Sequence, residues 1–253
     1  LALVRKDDAQ TADFIREKFA IPHQVVTVDE SSILIVDDCN RRWRLPLGDA
    51  EYSSLIGQDV LRICREVATE RDLFNCHGTF YELPAENADG YAKMRPIASH
   101  NFRIHDYASY RGMLVMTGIN PKEMKNKEHI IVSEDGKAAV WAGAIDDLWE
   151  MGKPVGKGGP WKNTAVKAGE ASDPYLIGFY DKKNLTLSHS SQSDVTFTVE
   201  VDPTGNGKWV KYATLTVKPG EQMKHEFKAP FQARWIRFSI DADTNATAWL
   251  EYK

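Results

Sequence analysis

From Val25 to Tyr252 the apolar residues come in short runs, and the polar residues between them carry turn chemistry. Val25–Val28, Ile33–Val36 and Trp43–Leu47 are separated by DESS and DDCNRR, which predicts a meander of strands with tight turns. Val60–Ala68 alternates, with Leu61, Ile63, Arg65 and Val67 on one side, and TERD then leads into an apolar stretch from Leu73 to Leu83. Arg103–Ser109, a Tyr110-Arg111-Gly112 turn and Met113–Thr117 form a hairpin, Gly112 suiting a turn position with positive φ. His129–Ser133 and Ala138–Ala144 form another around EDGK. Further on, Val195, Phe197, Val199 and Val201 share one face while Thr196, Thr198 and Glu200 share the other. Trp209–Val217, Met223–Phe227, Ala233–Ile240 and Thr247–Tyr252 follow at intervals of about ten residues.

Residues 1–20 stay open between a helical turn and a strand, and no long helical period appears elsewhere. The pattern therefore predicts an all-β fold, a sandwich or a propeller. Two stretches read as loops: Arg95–His105, which feeds the hairpin, and 152–163, GKPVGKGGPWKN. The second lacks the Ser or Thr after Lys, and the strand–loop–helix frame, of a phosphate-binding loop. It is expected to be a surface loop leaving Trp161 exposed or half-exposed.

Composition narrows the partners. The formal net charge is −4 with dispersed basic residues, which argues against nucleic acid or a membrane surface as the main partner. No apolar run approaches the roughly 20 residues that span a bilayer. Seven Trp and nine Tyr beside polar loops favour carbohydrate stacking, although each ring is also a candidate for the core. Cys39, Cys64 and Cys76 have no CxxC spacing and allow at most one disulfide, so they fix no compartment.

The stretches RDLFNCHGTFYELP, RPIASHNFRIHDYASYRGMLVMTG, VWAGAIDDLWEMGKPVGKGGPWKNTAVKAGEASDPYLIGFYDKKNLTLSHSS and the terminal TFTVEVD…GEQMKHEF…ARWIRFSID carry a family likeness. Over roughly residues 60 to 253 they resemble the second half of secreted bacterial β-propellers encoded among polysaccharide-degradation genes. That group is similar to seven-bladed ulvan lyases and to propeller α-L-rhamnosidases. The resemblance implies an antiparallel β-propeller, secreted or periplasmic, over residues 1–253. At a blade period of roughly 45 to 50 residues the chain supplies about four or five blades, an incomplete arc. An arc leaves sheet edges open, so missing N-terminal blades or a second copy of the chain would complete it. The alternative division is a propeller-like part over 1–180 and a β-sandwich over 181–253.

On the propeller reading, the Arg95–His105 loop lies on the ligand face near the central channel. Elimination at a uronate needs a positive group on the carboxylate, a base for the α-proton and an acid for the leaving oxygen. His100, His105 and Tyr107 are the candidate catalytic residues. Arg95, Arg103, Arg111 and Trp161 are the candidate substrate contacts, the arginines because a guanidinium grips a carboxylate with two prongs. Cys76, His100 and His105, with His77 or Asp106 as a fourth ligand, form a candidate structural zinc site. Asp146-Asp147 is expected in a strand, where neighbours face opposite sides, so it does not make a two-carboxylate glycosidase site. Two function classes follow: a lyase or glycosidase acting on an acidic polysaccharide of uronate and rhamnose, or a non-catalytic glycan-binding propeller.

Overall fold

A computed structural model describes residues 10, 11, 14, 26–37, 39–52, 63–66, 71–85, 88–120, 122 and 128–253. Gln10, Thr11 and Phe14 are helical, and the rest of the ambiguous 1–20 segment lies outside the described residues. Elsewhere the described chain is β, with short 3-10 turns at Ala50–Tyr52, Gly90–Lys93 and Ile145–Met151. No helix among the described residues is long and apolar enough to cross a membrane.

Two sheets face one another as a sandwich. The larger, sheet A, takes β1 (Val26–Val28), β2 (Ile33–Val36), β3 (Arg42–Leu45), β13 (Tyr175–Leu176), β15 (Val195–Asp202), β16 (Val210–Val217) and β18 (Trp235–Ile240). Sheet B has the order β12-β19-β14-β17, formed by Gly156–Val166, Thr244–Tyr252, Lys183–His189 and Met223–Glu226. Alternation explains the pairing of faces. Phe197, Val199 and Phe238 of sheet A share one buried cluster with Leu185, Leu187, Ala248 and Leu250 of sheet B.

Two smaller sheets follow. Sheet C is the meander β4 (Ile63–Glu66), β5 (Arg71–Cys76), β6 (Thr79–Leu83) and β7 (Arg95–Ser99). Sheet D comprises β8 (Tyr107–Tyr110), β9 (Met113–Thr117), β10 (Ile130–Val132) and β11 (Ala139–Gly143), in the order β10-β11-β9-β8. Sheet C is buried on both sides. Phe74 and Tyr81 join the sandwich core, while Leu73 and Phe80 join a second core with Leu114, Met116 and Trp141 of sheet D. Beside the first contact, Trp235 Nε1 donates to Ala92 O at 2.8 Å and Arg234 Nη1 donates to Met94 O at 2.8 Å.

The antiparallel all-β expectation holds, but four details change. The strands of residues 185–252 divide between sheets A and B of the sandwich, so an arc of four or five blades over 1–253 does not describe this part of the chain. The sheets do not change partners at residue 181 either, since β1–β3, β12 and β13 belong to the sandwich. The Leu73–Leu83 run is broken by a tight turn at His77 and Gly78, with φ of 49° and 71°. Arg95–Ser99, expected in a loop, is the strand β7 paired with β6.

A further change is the expected loop at 152–163. Its residues from Gly156 onward form β12, and Trp161 is buried, packed 6.2 Å from Phe238. Glycines here report close backbone approach and not a turn. A Cβ on Gly159 would lie 1.7 Å from Ala248 O, and register shifts on both sides of Trp161 absorb the irregular sequence. Trp161→Ala should therefore lower stability by about 3–5 kcal/mol. Trp149→Ala, at a Trp that is 60% exposed, should change it by less than about 0.5 kcal/mol. Chemical denaturation of the two variants checks both, and equal effects would contradict the placement of Trp161.

Candidate functional site

Of the residues singled out between 74 and 117, the structure gathers His100 and Tyr107 around Asn75. The alternation of β5 puts Asn75 on the same side as Leu73, an apolar side facing sheet D, so its amide must find partners. His100 follows the end of β7, where its backbone N–H donates to Gly78 O at 2.7 Å. Its Nδ1 accepts the Phe102 N–H at 3.2 Å, which leaves Nε2–H to donate to Asn75 Oδ1 at 2.9 Å. Tyr107 Oη accepts the Asn75 N–H at 3.0 Å, and Asn75 Nδ2 donates to Tyr52 O at 3.3 Å. Phe80 packs against both rings, 5.1 Å from His100 and 5.6 Å from Tyr107.

This arrangement orders a wall and does not present a base to solvent. His100, Asn75 and Tyr107 are all buried. Burial pulls the His100 imidazole down to about 4, so it is neutral at pH 7 with both nitrogens engaged. The expectation that His100 and Tyr107 act on a substrate is corrected on those grounds. His105 is exposed, and its backbone N–H donates to Thr117 O at 2.9 Å.

The zinc expectation also fails geometrically. Cys76 alternates with Asn75 along β5, so its thiol lies toward the sandwich core while His100 lies toward sheet D. Burial pushes that thiol up to about 12, the reverse of the thiolate a metal requires. Among the described residues no group of three or more His, Cys, Asp or Glu could hold a metal ion.

The arginines differ in availability. Arg95 Nη2 donates to Glu82 Oε2 at 2.8 Å, a cross-strand pair between β7 and β6. Arg103 is ion-paired with Glu51. Arg111 has no carboxylate within ion-pair reach among the described residues, and its guanidinium lies 5.5 Å from the centre of the Tyr110 ring. Arg111 and Gly112 both have positive φ, 51° and 81°, as the two-residue turn between β8 and β9 requires. Tyr110 is 58% exposed, so an aromatic face and an uncommitted guanidinium stand together at the hairpin tip. Trp161, expected beside them as a substrate contact, is in the sandwich core. Asp146 and Asp147 sit in a 3-10 turn and not in a strand, and Asp147 Oδ2 accepts the Ala144 N–H at 2.6 Å.

No family model matches the sequence. No curated protein matches it either. Among solved structures, the PBSX exported protein XepA is 15% identical and aligns with 51% of this chain and 50% of its own, at a TM-score of 0.29. The chain thus spans about half the length of that protein. A glycoside hydrolase family 43 arabinoxylan arabinofuranohydrolase from Bacillus subtilis, in complex with cellotetraose, is 11% identical over 72% of this chain and 53% of its own, at 0.24. The exo-β-1,3-galactanase of Phanerochaete chrysosporium, with galactose, is 10% identical over 90% and 67%, at 0.22. Superpositions of this quality assign neither fold nor activity.

The neutral His100 has a consequence in pH. The unfolded chain takes up a proton near the ordinary value of 6.5, whereas folded His100 resists it down to about 4. Its contribution to stability is complete above that window and is lost as the pH falls through it, by about 3 kcal/mol in all. Denaturation between pH 7 and pH 4 should show this loss in the wild type and a shallower slope in His100→Gln. The ring resonances of His100 should stay unchanged from neutral pH to pH 5; titration near 6.5 would show that the imidazole is not buried.

Proposed function

We propose that this chain supplies glycan binding to a carbohydrate-active protein whose polysaccharide contains uronate and rhamnose. The observation that carries the reading is the Tyr110–Arg111 tip, where the ring is exposed and the guanidinium meets no carboxylate among the described residues. A pyranose stacks its C–H face on an aromatic ring, and a guanidinium beside it takes the carboxylate through charge-assisted hydrogen bonds. Arg95 and Arg103 have their own carboxylates and would have to break those pairs to contribute. On this reading sheets C and D, four-stranded and stacked face to face, are two blades of a propeller. Missing blades, or a second copy of the chain, complete that propeller. A polysaccharide is too large to cross a membrane unaided, so the protein works secreted or in the periplasm. The lyase or glycosidase reading loses His100, which is buried and neutral, and would have to use the exposed His105 as its base.

Binding to ulvan and to carboxyl-reduced ulvan tests the proposal. Losing a charged contact costs about 1.5–3 kcal/mol, so Arg111→Ala should weaken binding to ulvan about tenfold or more. Arg111→Ala should leave binding to the carboxyl-reduced polymer unchanged. Equal binding of wild type and variant to ulvan, or formation of unsaturated uronate or new reducing ends by this chain, would overturn it.

A further inference from the structure

The outer face of sheet B carries one residue that its position does not explain. An antiparallel sheet with one wet face presents polar side chains there, and this one does so at Asn184, Thr186 and Ser188 of β14 and at Asn245, Thr247 and Glu251 of β19. Trp249 breaks the pattern. Ala248 and Leu250 on either side of it point into the core, so its indole stands on the solvent face. Thr186 lies directly opposite Trp249 in register and has Lys224 on its other side, while Asn184 lies between Glu251 and Glu226. Thr247 faces Ser188, and its hydroxyl oxygen accepts the Asn163 N–H at 2.9 Å.

Of the six other tryptophans, Trp149 is exposed on the 3-10 turn Ile145–Met151 and Trp43 packs with its ring centre 4.9 Å from that of Trp235. Trp141, Trp161 and Trp235 are core residues. Trp209 lies 4.3 Å from the Arg237 guanidinium, and Glu200 holds that guanidinium in place through a 2.8 Å hydrogen bond. Trp249 is half-buried, and the Lys162 amine stands over it with its Nζ 5.5 Å from the ring centre. That amine is half-exposed and its ion pair with the exposed Glu30 is 3.6 Å long, so it swings aside at little cost. None of the outer-face residues of β14 and β19 belongs to the buried cluster between the two sheets.

We infer that the outer face of sheet B is a second glycan subsite, at which an uncharged pyranose ring stacks on Trp249. The inference rests on the glycan-binding reading above and adds a location to it. A pyranose has one surface of C–H groups and a rim of hydroxyls. The indole meets the first through apolar and C–H contact, and Thr186 and Asn184, alongside it on β14, are placed to meet the second. The charges select the ligand class. Lys157 lies opposite Glu251, Lys162 pairs with Glu30, and Lys224 is followed on the same side of β17 by Glu226, so the face offers a carboxylate no net attraction. The Arg111 tip and the Trp249 face thus suit different units of the same polymer, the first its uronate and the second a neutral sugar.

Ulvan and carboxyl-reduced ulvan separate the two subsites. Trp249→Ala should weaken binding to both polymers, by about tenfold for a stacking contact of roughly 1.4 kcal/mol. Trp249→Phe, which keeps a ring, should recover most of it. Thr186→Arg, which fills the position opposite the indole, should weaken both as Trp249→Ala does, and circular dichroism with thermal unfolding confirms that each variant is folded. Undiminished binding of folded Trp249→Ala or Thr186→Arg to the carboxyl-reduced polymer would overturn the inference. The Arg111 reading would still stand if Arg111→Ala loses affinity for ulvan. A wild type that binds neither polymer would overturn both.

Discussion

Everything in this molecule leans on sheet C, because both of its faces must be dry. Successive residues of a strand point to opposite sides, so one short meander supplies Phe74 and Tyr81 to the sandwich and Leu73 and Phe80 to sheet D. Burying a large apolar side chain stabilises by about 1.5–3 kcal/mol, and each aromatic on the meander contributes on that scale to one core or the other. The two cores therefore share a wall. Cutting into β5 or β6 disturbs both at once, whereas a loss at the far edge of the sandwich touches only one.

The sandwich side of that wall is unusually rich in tyrosine. Tyr81, Tyr175, Tyr180 and Tyr252 are all buried, and Tyr180 stacks on Tyr252 at 4.1 Å. Burial raises the hydroxyls of all four well above the ordinary tyrosine value, so each stays neutral. Tyr252 Oη donates to Leu176 O at 2.8 Å, which ties the last strand of sheet B to β13 of sheet A. The other side of the wall is where the buried amide of Asn75 forces His100 and Tyr107 into place. The residues that looked most like chemistry are thus the ones the wall consumes. Two aromatic side chains that keep contact with solvent, Tyr110 and Trp249, stand elsewhere, at the β8–β9 tip and on the outer face of sheet B.

Short alternating runs were enough to read the chain as all-β, because a period of two exposes one face of each strand in the sequence itself. Met113–Thr117 was legible to the residue, and Val195–Val201 fell one short of β15, since alternation and turn chemistry agree there. Tertiary structure alone decided the rest. Which strands share a sheet depends on pairing between residues far apart in sequence, such as Phe197 with Ile240, and a ten-residue spacing serves a sandwich and a propeller equally. Trp161 was misplaced because three glycines and a proline around it signal a loop, until the backbone of Ala248 is seen to need that space. Cys76 and His100 look like neighbours in ligand chemistry, yet one strand separates them onto opposite faces, and only the sheet's double burial made both faces interior.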